Sequence, residues 1–237
     1  MGKPAKPSPH KSPEDDDIGG KWRVYLSKVY RLADFADTPR SYIGTSALAD
    51  ALMVTAPAVN RMVNRLKENG LLHHEPYKGI ALTQEGYGEA LRHLRVHRII
   101  EAFLVKVVKV DWSVVYDEAN RLSLGTSDLL LARMNDMAGY PTHCPHGEPI
   151  PAEDGTLPPM QDTPLAQVMP PCTVRVTRMR TREPDRLKYI EALGLIPQTT
   201  LEVLHVAPFH GPMQLKINRE YRIIGSNLAE LIRVENV

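Results

Sequence analysis

The chain has 237 residues, 43% hydrophobic and 24% charged, with a formal net charge of +1. That length suits two or three small domains, and the composition is that of a folded protein rather than a disordered or fibrous one. No run approaches about 18 apolar residues and no apolar signal segment opens the chain, while two cysteines, Cys144 and Cys172, make no disulfide framework; the expectation is a cytoplasmic protein with no membrane span.

Residues 1–20 are rich in Lys, Pro, Ser, Asp and Gly and offer almost nothing to bury, which predicts a disordered tail. A helical period begins at Lys21, with Val24, Tyr25, Leu26, Val29, Leu32 and Phe35 on one face, and it ends before Pro39. From Leu48 to Leu72 the chain reads as two short helices joined by a tight turn. Leu48, Ala49 and Leu52, then Val59, Met62, Val63 and Leu66, keep the spacing of one buried face. Thr55 stands at the N-cap position, Pro57 in the first turn, and Gly70 at the C-terminal stop.

The other face of the second helix carries Thr55, Ala58, Asn60, Arg61, Asn64 and Lys67, groups suited to base edges and phosphates. This is a helix-turn-helix pattern. Leu71 to Thr83 reads as a β-hairpin turning at Tyr77-Lys-Gly79, with Lys78 at its tip placed for a phosphate. Lys21 to Ile100 holds 12 Lys and Arg against 7 Asp and Glu, a basic module within a neutral chain. Thr55, Pro57, Asn60, Arg61 and Asn64 are the expected base contacts, and Arg61, Arg65, Lys67 and Lys78 the expected phosphate contacts.

Thr83 and Glu85 form the opening of a long helix that carries His97 and Glu101 one turn apart. Two amphipathic helices follow, Asp111 to about Leu122 and Ser127 to about Met137, with more apolar surface than either can hide alone; a helical homodimer interface is the expected outlet. Nine of the 20 prolines fall between Pro141 and Pro171, predicting an extended linker over 141–164. His143-Cys-Pro-His146 supplies only three possible ligands and no group to orient a nucleophile, so it reads as a structural turn, with a metal site or a Cys144 enzyme as the rival readings. Beyond 165 the period becomes two, with a helix near Arg186–Leu195, as in a small β-barrel. The fold class is therefore mostly α with a small β domain: winged helix-turn-helix over 21–92, helical dimerisation domain over 93–140, and a small β-barrel over 165–237, which the family resemblance makes SH3-like.

That arrangement resembles the diphtheria-toxin-repressor and manganese-transport-regulator family. The carriers are Tyr25-Leu-Ser-Lys-Val-Tyr30, Pro57-Ala-Val-Asn-Arg-Met-Val63, Leu82-Thr-Gln-Glu-Gly86, His97-Arg-Ile-Ile-Glu101, Tyr116-Asp-Glu-Ala-Asn-Arg121 and Cys144-Pro-His-Gly-Glu-Pro-Ile-Pro151, with Glu191-Ala-Leu-Gly-Leu-Ile-Pro197, Ala207-Pro-Phe-His-Gly-Pro212 and Ile224-Gly-Ser-Asn-Leu-Ala229 in the SH3-like part. The resemblance implies a homodimeric repressor, not an enzyme, that binds a double-stranded, palindromic operator under control of Fe(II) or Mn(II).

Without gaps, the family's primary metal ligands fall on Val24, Asn120, Ser123 and Leu124, none of which gives a dication a charged donor. Metal control is thus expected to be weakened or lost, with no cofactor required. The alternative is a Mn(II) or Fe(II) response through an ancillary site of His97, Glu101 and Glu183, in which Tyr116 replaces a histidine and Arg186 a glutamine. On its own, His97 on an otherwise apolar face reads more readily as a satisfied core histidine than as a ligand. Arg186 is expected to pair with Glu101 or Glu183 and dock the barrel without metal, Arg180 and Arg182 being neighbours in an uncertain register. A reading of another class is a dimeric module whose barrel binds a protein partner.

Overall fold

The computed structural model describes residues 20–35 and 42–237; the predicted N-terminal tail and the helix end before Pro39 lie outside the described residues. These form two compact units, divided between His93 and Leu94.

In the first unit the helical periods become α1 (Lys21–Phe35), α2 (Thr45–Leu52) and α3 (Ala56–Glu68). Leu26, Val29, Leu48, Val59 and Val63 are wholly buried in one core, which is why the three helices pack. Pro57 sits in the first turn of α3. Thr55 is its extended N-cap residue but makes no side-chain cap bond, so its hydroxyl is not consumed by the helix. The wing is β1 (Leu72–Glu75) paired antiparallel with β2 (Gly79–Leu82). Ile43 adds a bridge to it, exchanging both backbone hydrogen bonds with Ile80 at 2.8 and 2.9 Å. Gly79 is required at the turn: its φ is +106°, and a Cβ there would lie 2.1 Å from the Ile43 carbonyl oxygen. Thr83 caps α4 (Gln84–Phe103) by accepting from the Gly86 N–H at 3.0 Å.

The second unit begins within α4, which continues as a π-helical turn over Leu104–Val108. The next helix, α5, spans Val115–Ser123 rather than starting at Asp111. Asp111 instead closes a local turn, accepting from the Ser113 N–H and hydroxyl at 2.7 and 2.5 Å. In α6 (Asp128–Met137) Ser127 is the cap, accepting from the Leu130 N–H. Leu129, Leu130 and Met137 on α6 are exposed, as an interface helix requires.

The proline-rich stretch divides in two, a buried first part and a mostly exposed run over residues 152–161. Cys144 and every residue from His146 to Pro151 are buried. Asp162, at its end, is gripped by Arg178 and Arg233, whose Nε atoms donate to its two oxygens at 2.8 and 2.7 Å. Proline density excluded helix and central strand there but said nothing about burial. The remainder is a six-stranded antiparallel SH3-like sheet in the order β3-β8-β4-β5-β6-β7: β3 (Thr163–Pro164), β4 (Cys172–Met179), β5 (Thr200–Val206), β6 (Met213–Ile217), β7 (Glu220–Ile224) and β8 (Ile232–Asn236). Helices α7 (Pro184–Ala192) and α8 (Ser226–Ala229) complete it. Its core is built from Val174, Val176, Leu187, Val203 and Leu215, all wholly buried.

Candidate metal centre and nucleic-acid interface

Helical spacing puts His97 and Glu101 on one face of α4, and both are buried, Glu101 to 0% exposure. The Cys144–Glu148 segment is a closed turn: the Cys144 N–H donates to the Glu148 carbonyl and the Gly147 N–H to the Cys144 carbonyl, each at 2.9 Å. Gly147, with φ +85°, lies so close to β4 that a Cβ would meet the Thr177 carbonyl oxygen at 1.9 Å. The Met179 N–H donates to the His146 carbonyl at 2.9 Å. Fixed on both sides, the turn brings Cys144 and His146 to Glu101. One ligand atom from each of these three buried residues lies within 4.8 Å of the other two.

The hydrogen bonds orient the imidazoles. His146 Nε2 is 2.9 Å from the Trp112 carbonyl oxygen and His97 Nε2 is 3.2 Å from that of Tyr116. A carbonyl accepts only, so each Nε2 carries a proton and each ring turns its Nδ1 inward, a lone pair when the imidazole is neutral and a second donor when it is protonated. His146 Nδ1 stands 3.2 Å from Glu101 Oε1, and His97 Nδ1 3.7 Å from Glu101 Oε2. Neither carboxylate oxygen is hydrogen-bonded to a backbone N–H or a guanidinium among the described residues, and their nearest polar partners are these two Nδ1 atoms. Buried polar atoms are ordinarily paired, and a buried unpaired carboxylate costs several kcal/mol.

The charges fit the same picture. Burial pushes the Glu101 carboxyl up, but the positive charge that His97 and His146 carry when protonated outweighs it and holds the group well below the usual carboxylate range. Burial, then the Arg182 guanidinium, lowers His146, with Glu101 opposing. Burial, with the Glu101 and Glu148 carboxylates, pushes the Cys144 thiol up. Two imidazole nitrogens, a carboxylate and a sulfur are a donor set for a first-row dication.

Of the residues expected at the ancillary site, His97 and Glu101 meet; Glu183 does not join them. Glu183 is the exposed N-cap residue of α7 and pairs with the equally exposed Arg186, Nε to Oε2 at 2.6 Å. Arg186 therefore does not reach Glu101. Arg182 fills the inward place. Its Nη1 donates to the Met179 and Thr181 carbonyls, and its Nη2 reaches Glu148 Oε1 at 2.9 Å; Arg98 Nη2 holds Glu148 Oε2 at 2.9 Å. Tyr116 packs its ring on His97, centroids 4.8 Å apart. Asn120 and Ser123 are half-buried on α5, Leu124 is exposed, and Val24 is half-buried on α1. The Cys144 and His146 pair, assigned to a turn from sequence, belongs to the cluster; its signal was the Cys-x-His spacing, with the other donors more than 40 residues away on α4.

In the first unit Thr55, Pro57, Asn60, Arg61, Asn64 and Lys67 are exposed on or just before α3, with Arg65 half-buried. Lys78 is exposed but engaged: its ammonium is 2.6 Å from Glu75 Oε2 and lies over the Tyr42 ring, while the Tyr42 hydroxyl donates to Glu75 Oε1.

A winged helix-turn-helix followed by a helical domain with a buried Glu/Cys/His cluster and an SH3-like sheet defines a modular DNA-binding regulator. Comparison with known proteins narrows the class. Residues 17–80 match the iron-dependent repressor N-terminal DNA-binding domain, 83–152 the iron-dependent repressor metal-binding and dimerisation domain, and 163–236 the FeoA domain. The iron-dependent repressor IdeR of Mycobacterium tuberculosis is 25% identical over 226 residues, covering 90% of this chain and 96% of that protein. An HTH-type transcriptional regulator of Methanocaldococcus jannaschii is 34% identical over 110 residues, covering 46% of this chain and 86% of that protein. A solved manganese-dependent transcriptional repressor in complex with manganese superposes with a TM-score of 0.83 at 31% identity, covering 91% of this chain and all of that one. The chain belongs to the iron-dependent repressor family, also known as the diphtheria toxin repressor family. No helix among the described residues is long and apolar enough to cross a membrane.

Proposed function

We propose that this chain is a homodimeric transcriptional repressor whose DNA binding responds to a transition-metal dication held by Glu101, Cys144 and His146, with His97 as a fourth donor. The observation that carries the proposal is the Glu101 carboxylate, wholly buried and ionised, facing two imidazole nitrogens and a thiol. A bound dication would supply the positive charge that lets a thiolate and a carboxylate share a dry site. The Trp112 and Tyr116 carbonyls hold the two imidazoles in the ligating tautomer, and the closed Cys144–Glu148 turn presents sulfur and nitrogen together. Sulfur and nitrogen donors favour Fe(II) over Mn(II), although the structural relative is a manganese protein. Because Val24, Asn120, Ser123 and Leu124 offer no charged donor, we assign metal control to this buried cluster.

On this reading Thr55, Pro57, Asn60, Arg61 and Asn64 approach base edges, and Arg61, Arg65 and Lys67 approach phosphates. Two copies related by a two-fold axis would read a palindromic operator. The test is metal content of the purified protein together with anisotropy titration of a duplex selected from a random pool, with Fe(II) or Co(II) and with chelator. Metal-dependent binding that is lost in Glu101→Gln supports the proposal. Binding indifferent to metal in both proteins leaves a metal-independent repressor and refutes this mechanism.

A further inference from the structure

The tip of the wing carries a residue that folding alone does not explain. Tyr77 is fully exposed, at 109% of its reference area, on the turn between β1 and β2. Its backbone has φ +65°, the left-handed region where a side chain is strained and glycine is favoured. A large, partly apolar side chain therefore stands in water on a backbone that disfavours it. Strain kept at an exposed position points to a role outside the fold.

The tip is also held still. Ile43 bridges Ile80 beneath it, Gly79 rests against the Ile43 carbonyl, and Glu75 ties Lys78 and Tyr42 together on one side. The nearest cation, Lys78, is thus already occupied by a carboxylate, and the tyrosine is what the tip presents. The wing follows α3 directly, the Leu71 N–H donating to the Leu66 carbonyl at 2.9 Å, and α3 exposes Arg61 and Lys67. A ring with a terminal hydroxyl, fixed beside a basic reading helix, matches a deoxyribose wall with a phosphate oxygen at its rim.

We propose that Tyr77 is a DNA-contacting residue that docks the wing against the minor groove beside the site read by α3, its ring on the sugars and its hydroxyl donating to a phosphate. This rests on the DNA-binding reading above. It reassigns the wing contact from the charge of Lys78 to the surface of Tyr77. Such a contact adds affinity without releasing counterions, because no charge is neutralised.

The test uses the full chain with excess Co(II) and a duplex recovered by the wild-type protein from a random pool. Tyr77→Gly and Tyr77→Asn both suit a positive φ, so the folded domain keeps or gains thermal stability. Their affinity is expected to fall by about tenfold, and that of Tyr77→Phe by about threefold, at an unchanged slope of log affinity against log salt. A loss below about threefold in both the Gly and Asn variants overturns the proposal, and so does a changed salt slope, which would mean that Tyr77 acts by moving a charged contact. Failure of the wild-type protein to bind any selected duplex would instead remove the DNA-binding reading, and this inference with it.

Discussion

Coordination at the buried cluster has a definite proton count, and Cys144→Ser tests it. Glu101, whose carboxyl sits well below the usual carboxylate range, is ionised and brings no proton. His146, lowered by burial, is neutral above the ordinary histidine value of about 6.5. Cys144, raised by burial and by Glu101 and Glu148, keeps its proton on sulfur through neutral pH. A dication that binds sulfur must displace that proton, so affinity rises with pH, by about tenfold or 1.4 kcal/mol per unit between roughly pH 7 and 8. A serine hydroxyl does not ionise there, so the Cys144→Ser slope should be lower by one proton. The comparison of the two proteins cancels every other titrating group. Calorimetry in two buffers of different ionisation heat, paired with Co(II) competition titrations at several pH values, measures the difference directly. Equal proton release by both proteins would mean that sulfur is not a ligand, and the assignment of Cys144 would fall.

Two further outcomes follow from the same unit. Arg182→Met leaves the buried Glu148 with Arg98 alone, and should cost about 3 kcal/mol in the unfolding of the C-terminal unit by calorimetry; a loss under about 1 kcal/mol would mean that the pair contributes little. Leu129→Glu places a charge on the exposed apolar side of α6, where Leu129 is 75% exposed, and should turn the dimer into monomer by light scattering. With about 2 kcal/mol lost per copy and two copies per symmetric interface, the dissociation constant should rise by roughly three orders of magnitude; an unchanged dimer would put the interface elsewhere.

The DNA-binding module was legible because its signals are local. A 3.6-residue period, a proline in the first turn of α3, a glycine after it and a hairpin turn at Tyr77–Gly79 each constrain a few neighbouring residues. Even there the energetic detail differed, since Thr55 occupies the N-cap position without capping. Lys78, read as a free phosphate ligand, is tied to Glu75, a pairing that only the strand register creates. The Glu101, Cys144 and His146 cluster was harder because its members meet only in three dimensions. His97 and Glu101 share a helix face and could be paired from spacing; Cys144 and His146 lie in a proline-rich run whose composition argues for a linker. The count of ligands within that run stopped at three because the others come from α4. Arg186 does pair with Glu183, one of the two partners expected of it, but on the solvent face of α7; Arg182 precedes the helix, where the Met179 and Thr181 carbonyls turn its guanidinium inward.

Two buried carboxylates in this unit show why one is structural and the other a site. Glu148 is 1% exposed and has a guanidinium on each oxygen, both guanidinium groups also donating to backbone carbonyls. Its desolvation is offset in the folded protein as it stands, and a neutral pair of apolar residues of similar volume could replace such an arrangement with little loss. Glu101 is equally buried, yet its oxygens face the two imidazole Nδ1 atoms, with a protonated thiol close by. Its ionised form is favoured by the charge that His97 and His146 carry when protonated, and neither oxygen has a hydrogen bond from a guanidinium or a backbone N–H among the described residues. An apolar residue at 101 would remove that cost outright, so folding stability gives no reason for a carboxylate there. Coordination would supply one: a dication bound there would satisfy the carboxylate, the imidazole nitrogens and the sulfur at once, and the free energy withheld from the fold would become binding free energy. The Glu148 network beside it fixes the Cys144–Glu148 turn with or without a bound ion, so the donors are held together before any ion arrives and little of that free energy is lost to ordering them.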